Sequence, residues 1–113
     1  MHEYALMQAL MDRVGEEAAA RRALAVHRIV VRIGDLSGVE ADLLESAFEI
    51  VRAGTMCEGA ALEIERVPAT WVCSGCGQPV PSGGRLQCGG CGFPARLAAG
   101  GEILLGRIEL EVP

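Results

Sequence analysis

The chain has 113 residues, half of them hydrophobic, which is enough for one compact core and too few for two ordinary domains. Fifteen acidic residues against ten basic ones leave a net charge of -5, which argues against nucleic acid and anionic membrane as partners. All ten basic residues are arginine and aromatics make up only 4%, so base-stacking platforms lack the residues to be built from.

Met1-His2-Glu3-Tyr4 carries an acid where a secretory leader carries positive charge, and no apolar segment follows it. The longest apolar runs fall far short of the roughly 18 to 20 residues of a membrane-spanning helix. A soluble, cytoplasmic protein is expected. Five cysteines in such a chain read first as metal ligands or redox groups, because the cytosol keeps thiols reduced.

From Tyr4 to about Arg22, the residues Leu6, Met7, Leu10, Met11, Val14 and Ala18 recur at helical spacing, with Asp12, Arg13, Glu16 and Glu17 as the solvated face. Gly15 inside this helix costs up to about 1 kcal/mol relative to alanine. Between Leu24 and Ile33 the period changes to two, with Ile29, Val31 and Ile33 opposed to Arg28, Val30 and Arg32, and Gly34 ends the strand. Ser37-Gly38-Val39-Glu40 matches the S-x-x-E capping box ahead of a second helical stripe, Leu43, Leu44, Ala47, Phe48 and Val51, with Gly54 as its stop. Leu62 to Val67 alternate as a second strand closed by Pro68, and a third runs from about Ile103 to Val112.

The first strand carries arginines on its wet face and the other two carry glutamates, which places it centrally, with Arg28 and Arg32 between Glu63/Glu65 and Glu109/Glu111. The predicted fold is α/β: a small three-stranded sheet with two helices on one face. The stretch 69–100 is rich in Gly, Pro and Cys, shows no apolar period, and reads as an inserted zinc-ribbon, rubredoxin-like subdomain. The domain assignment is therefore 1–68 with 101–113 for the α/β domain and 69–100 for the insert.

Cys73-Ser74-Gly75-Cys76-Gly77 and Cys88-Gly89-Gly90-Cys91-Gly92 are two C-x-x-C-G knuckles. Each sets two thiolates on one side of a tight turn, and two such turns complete a tetrahedron, with zinc as the default metal. Four thiolates fill the coordination sphere, so a structural ion is expected, one whose binding is coupled to folding of the insert. A redox dithiol pair and a rubredoxin-like iron site stay open on spacing alone. Cys57 reads as a buried small hydrophobe, Trp71 as packing the insert against its neighbour, and His27 as a packed or edge histidine on the side of Ile29 and Val31.

His2 is the second feature able to carry chemistry. A free Met1 amine, the His2 amide and the His2 imidazole can close fused chelate rings, and square-planar nitrogen donation selects Ni(II) or Cu(II). Glu3, or a carboxylate from a neighbouring loop, can complete such a site; the bland alternative is a merely exposed histidine.

Met1-His2-Glu3 opening an amphipathic helix, the strand ending Ile33-Gly34, Ser37 to Glu40, the two knuckles and a short terminal strand together resemble the HypA/HybF family of hydrogenase nickel incorporation proteins, over essentially the whole chain. The resemblance implies a nickel metallochaperone that helps insert Ni(II) into the large subunit of [NiFe]-hydrogenase, working with a nickel-handling GTPase. It implies nickel at His2 with the Met1 amine and the Glu3 amide and carboxylate as associated donors, Glu40 in the place of an acidic loop residue that matters in some members, and structural zinc on Cys73, Cys76, Cys88 and Cys91. Some relatives carry histidines beside the second knuckle; here there are none, which puts exchange of Cys for His at zinc in doubt. A homodimer, and nickel shared between two chains, stay open. The rival reading is a zinc-ribbon adaptor that binds proteins and transfers no metal. An enzyme is not expected, since no nucleophile triad, paired catalytic carboxylates or P-loop accompanies the cysteines.

Overall fold

A computed structural model describes residues 2–113. In chain order the elements are α1 (His2–Ala20), β1 (Ala25–Gly34), α2 (Ala41–Val51), β2 (Ala61–Val67), β3 (Thr70–Cys73), β4 (Pro79–Val80), β5 (Ala95–Ala99) and β6 (Ile103–Glu111). They form two three-stranded sheets, β2-β1-β6 and β4-β3-β5. The chain divides into two compact units, one of Met1–Arg32, Val39–Glu65 and Leu104–Pro113, the other of Ile33–Gly38 and Arg66–Ile103.

In the first unit α1 runs unbroken through Gly15 and buries Met7, Val14 and Ala18. It stops in a Schellman turn: Ala23 N–H donates to Ala18 O at 2.9 Å and Arg22 N–H to Ala19 O at 3.2 Å, with Arg22 at φ 52°. An arginine holds a position that glycine usually takes, which is why no stop signal was visible there. From α2 come the buried Leu44, Ala47 and Phe48, and from β1 Val26, Ile29, Val30 and Val31. Each large apolar side chain so buried contributes roughly 1.5–3 kcal/mol.

β1 is the central strand, as the charge pattern predicts. Arg28 bridges Glu63 at 3.2 Å and Glu109 at 3.6 Å, and Arg32 reaches Glu65 at 3.6 Å. The pairs Arg28–Glu63 and Arg32–Glu65 advance together along the chain, so β1 and β2 run parallel, joined through α2 as such a pair requires. Leu24 N–H bonds Glu111 O, whereas Gly34 N–H bonds Glu102 O, so β6 runs antiparallel to β1.

Three local expectations need correction. First, Val30, on the arginine face by strict alternation, is buried. Gly106 explains some of this: a Cβ there would lie 3.1 Å from Arg32 Cγ and 3.3 Å from Val30 O, so its absence lets the arginine stem lie across the sheet. Second, His27 is not buried with Ile29 and Val31. It is exposed, and its Nε2 lies 2.9 Å from Glu111 Oε1, taking the glutamate that alternation assigned to an arginine. Third, Ser37 is not the N-cap: α2 begins at Ala41 with Glu40 as N-cap, its backbone extended and its side chain making no cap bond. Ser37 lies three residues too early for that role. The stretch 69–100 holds β3, β4 and β5, as a zinc ribbon requires; no apolar period announced them because they are only two to five residues long.

Within the second unit the backbone closes on itself through glycines. Leu36 N–H bonds Gly100 O at 2.8 Å and Asp35 N–H bonds Val67 O at 2.9 Å. A Cβ on Gly34 would overlap the Gly100 carbonyl, and one on Gly100, at φ 93°, would lie 2.7 Å from Ala69 Cα. The core of this unit is Cys73, Val80 and Cys88, with Trp71 and Ala95 packed against it. Trp71 thus packs into its own unit.

Candidate metal centre

The two knuckles are built alike. Cys73 N–H bonds Gln78 O at 2.8 Å and Cys88 N–H bonds Phe93 O at 2.9 Å, closing each loop at its base. Gly77 N–H then donates to Cys73 O and Gly92 N–H to Cys88 O, both at 3.0 Å. Gly77 at φ 78° and Gly92 at φ 75° take the left-handed backbone that follows the second cysteine of each pair. Gly75 is required for a different reason: a Cβ there would sit 2.5 Å from Phe93 Cδ2, so the ring of one knuckle lies against the bare backbone of the other.

These turns bring the Sγ atoms of Cys73, Cys76, Cys88 and Cys91 within 4.8 Å of one another. Cys73 and Cys88 are buried and Cys76 and Cys91 exposed. The amides of Gly75 and Cys76 both donate to Cys73 Sγ at 3.3 Å. The Cys76 amide, followed by the Cys91 thiol, lowers the Cys73 pKa to about 6. Cys91 is pushed up to about 12, chiefly by the neighbouring Cys73 sulfur. Four thiols this close cannot all ionise without a cation among them, and a divalent ion relieves that competition. A tetrahedron with Zn–S bonds of about 2.3 Å has edges of about 3.8 Å; Cys76 Sγ and Cys88 Sγ are 3.8 Å apart, and Cys73 Sγ and Cys91 Sγ are closer, at 3.1 Å. The donor set fits structural zinc, which would cross-link the two knuckles and leave no coordination position open.

The N-terminal residues are arranged differently. His2 is exposed and begins α1. Met1, expected as an amine donor, lies outside the described residues. Glu3 Oε2 accepts a hydrogen bond from the Glu40 amide at 3.3 Å. The Glu3 carboxyl is held below its ordinary value, first by its own backbone amide and then by that of Glu40. Glu3 and Glu40 are therefore brought together, but through the Glu40 backbone. Among the described residues the four cysteines form the group that could hold a metal; His2, Glu3 and Glu40 are not gathered into one. Sequence spacing missed this link because it joins residues 37 positions apart.

Comparison with known proteins is decisive. The family described as hydrogenase/urease nickel incorporation, metallochaperone, hypA, matches residues 1–110. The chain belongs to the HypA family. A hydrogenase maturation factor HypA of Nitrosospira multiformis is 42% identical over 97% of both chains. One of Geobacter metallireducens is 39% identical over 98% of this chain and all of its own. Two HypA solution structures share the fold. The Ni metallochaperone HypA of Helicobacter pylori aligns with a TM-score of 0.76 and 26% identity over 98% of each chain; a second HypA structure gives 0.85 and 27% over 100% and 98%. A HypA member is thus a nickel-incorporation factor of hydrogenase maturation, and the four-cysteine cluster is consistent with the structural zinc expected beside the nickel function. No helix among the described residues is long and apolar enough to cross a membrane.

Proposed function

We propose that this HypA protein is a cytoplasmic nickel metallochaperone that holds Ni(II) at the start of its chain and passes it on during maturation of [NiFe]-hydrogenase. The donors in this reading are the His2 imidazole and amide, the Met1 amine, and the Glu3 amide or carboxylate, with Glu40 as an accessory carboxylate. Nickel handling belongs to the discontinuous α/β domain, residues 1–68 and 101–113, and zinc to 69–100. The observation that carries the reading is His2 standing exposed in the first turn of α1. Amides of a first helical turn have no intrahelical acceptor, so the His2 nitrogen can exchange its proton for a metal without breaking the helix ladder. A few donors on an exposed terminus also let the ion go, as a carrier must.

Delivery calls for a nickel-handling GTPase and the hydrogenase large-subunit precursor as partners, and the role is that of a carrier rather than a catalyst. The test is isothermal titration of nickel into untagged protein, His2→Ala protein and protein extended by a few residues at its start. His2→Ala and the extension are expected to abolish specific nickel binding while zinc content stays at one per chain. Unchanged nickel affinity in both would place the ion at other donors, and absence of specific nickel binding in the untagged protein would favour a zinc-ribbon adaptor without transferable metal.

A further inference from the structure

The sheet of the first unit ends on β6. A groove of about 460 Å³ lies between this strand and α1. Its strand wall is the unbroken run 104–108. Successive strand residues point to opposite faces, so five in a row lining one hollow means that backbone as well as side-chain atoms of β6 face it. Nine residues long, β6 is a lengthy edge to leave unpaired, and Leu104 on it is half exposed.

The charge of this groove reverses that of the whole chain. Arg13 and Arg21 line it from α1 and Arg107 from β6, each well exposed, Arg107 standing 3.4 Å from Glu109 on the same strand. Its one acidic lining residue, Glu17, is already bridged to Arg13 at 3.7 Å and to Arg21 at 2.5 Å. At the opposite edge of the sheet the hollow between α2 and β2 is lined by Asp42, Glu45 and Glu49, with Arg52 as its single cation. Positive charge is therefore concentrated beside β6.

We propose that β6 is a docking edge: an extended, carboxylate-rich segment of a partner protein adds to it as a fourth strand. The segment's backbone continues the hydrogen-bond ladder, and its acidic side chains meet Arg13, Arg21 and Arg107. This surface is independent of the nickel reading and would stand if that reading failed.

The experiment uses the full-length, zinc-loaded protein and fluorescence anisotropy of a labelled eight-residue peptide alternating Glu and Val. Saturable binding is expected, weakening as salt rises. At least tenfold weaker binding is expected for the Lys/Val counterpart and for Glu/Val peptides N-methylated at alternate residues in either frame. The double variant Arg13→Glu with Arg107→Glu should lose at least tenfold while keeping its circular dichroism; if it misfolds, the peptide comparisons on the native chain decide. Absence of saturable binding, or equal binding of the N-methylated peptides, overturns the proposal. So does self-association that the double variant abolishes while no peptide binds, which would assign the edge to a second copy and its acidic α2/β2 side.

Discussion

Glu3, in the first turn of α1, accepts a hydrogen bond from the Glu40 amide at 3.3 Å, so one carboxylate serves the starts of two helices. The Glu40 side chain makes no cap bond of its own, and Glu3 supplies from a distance what the local sequence does not. Residues proposed to handle nickel are thereby tied to the first turn of α2.

Glu3→Ala is expected to raise the hydrogen-exchange rate of the Glu40 amide several-fold and to leave the interior of α2 unchanged. The sign of its pH dependence follows from the lowered carboxyl pKa. The bond is fully formed above the ordinary carboxylate value and is lost as pH falls through the lower, folded-state value. Exchange or amide chemical shifts followed by NMR from neutral to acidic pH check this, and a Glu40 amide indifferent to Glu3→Ala would refute it.

Nickel affinity is expected to fall as pH drops, because protons compete with the ion for its nitrogen donors. Titration calorimetry from mildly alkaline to mildly acidic pH reads the effect. A flat profile would speak for carboxylate ligation instead.

Removing zinc with a chelator is expected to unfold the second unit first. Two of its three core residues, Cys73 and Cys88, are themselves candidate ligands, so little apolar burial survives loss of the metal. A structural zinc supplies an apparent 10 to 16 kcal/mol or so at neutral pH, more than so small a core can replace. Trp71, the single tryptophan, packs on that core and reports the change by its fluorescence. Cys73→Ser should reproduce the shift without chelator.

Glycine positions divide sharply. Gly100→Ala is expected to destabilise the protein by about 2 kcal/mol or more, since the new methyl meets Ala69 backbone at a positive φ. Gly15→Ala should instead stabilise it by up to about 1 kcal/mol, because Gly15 is exposed within α1 and a Cβ there meets nothing within 4 Å. Paired denaturant titrations of the two variants decide the matter.

Features that repeat at short range could be read from the residues alone: two amphipathic helices, the charge-matched order of β2, β1 and β6, and four cysteines whose spacing fits one metal. These are legible because helical period, strand alternation and C-x-x-C turns are each complete within a few residues. Tertiary structure decided the rest. The carboxylate of Glu3 finds the Glu40 amide, Glu111 goes to His27, Gly34 meets Gly100, and β3 to β5 form around the knuckles, all through contacts between distant stretches of the chain. Such contacts depend on how far one backbone can approach another, a steric fact that no local pattern of polar and apolar residues encodes.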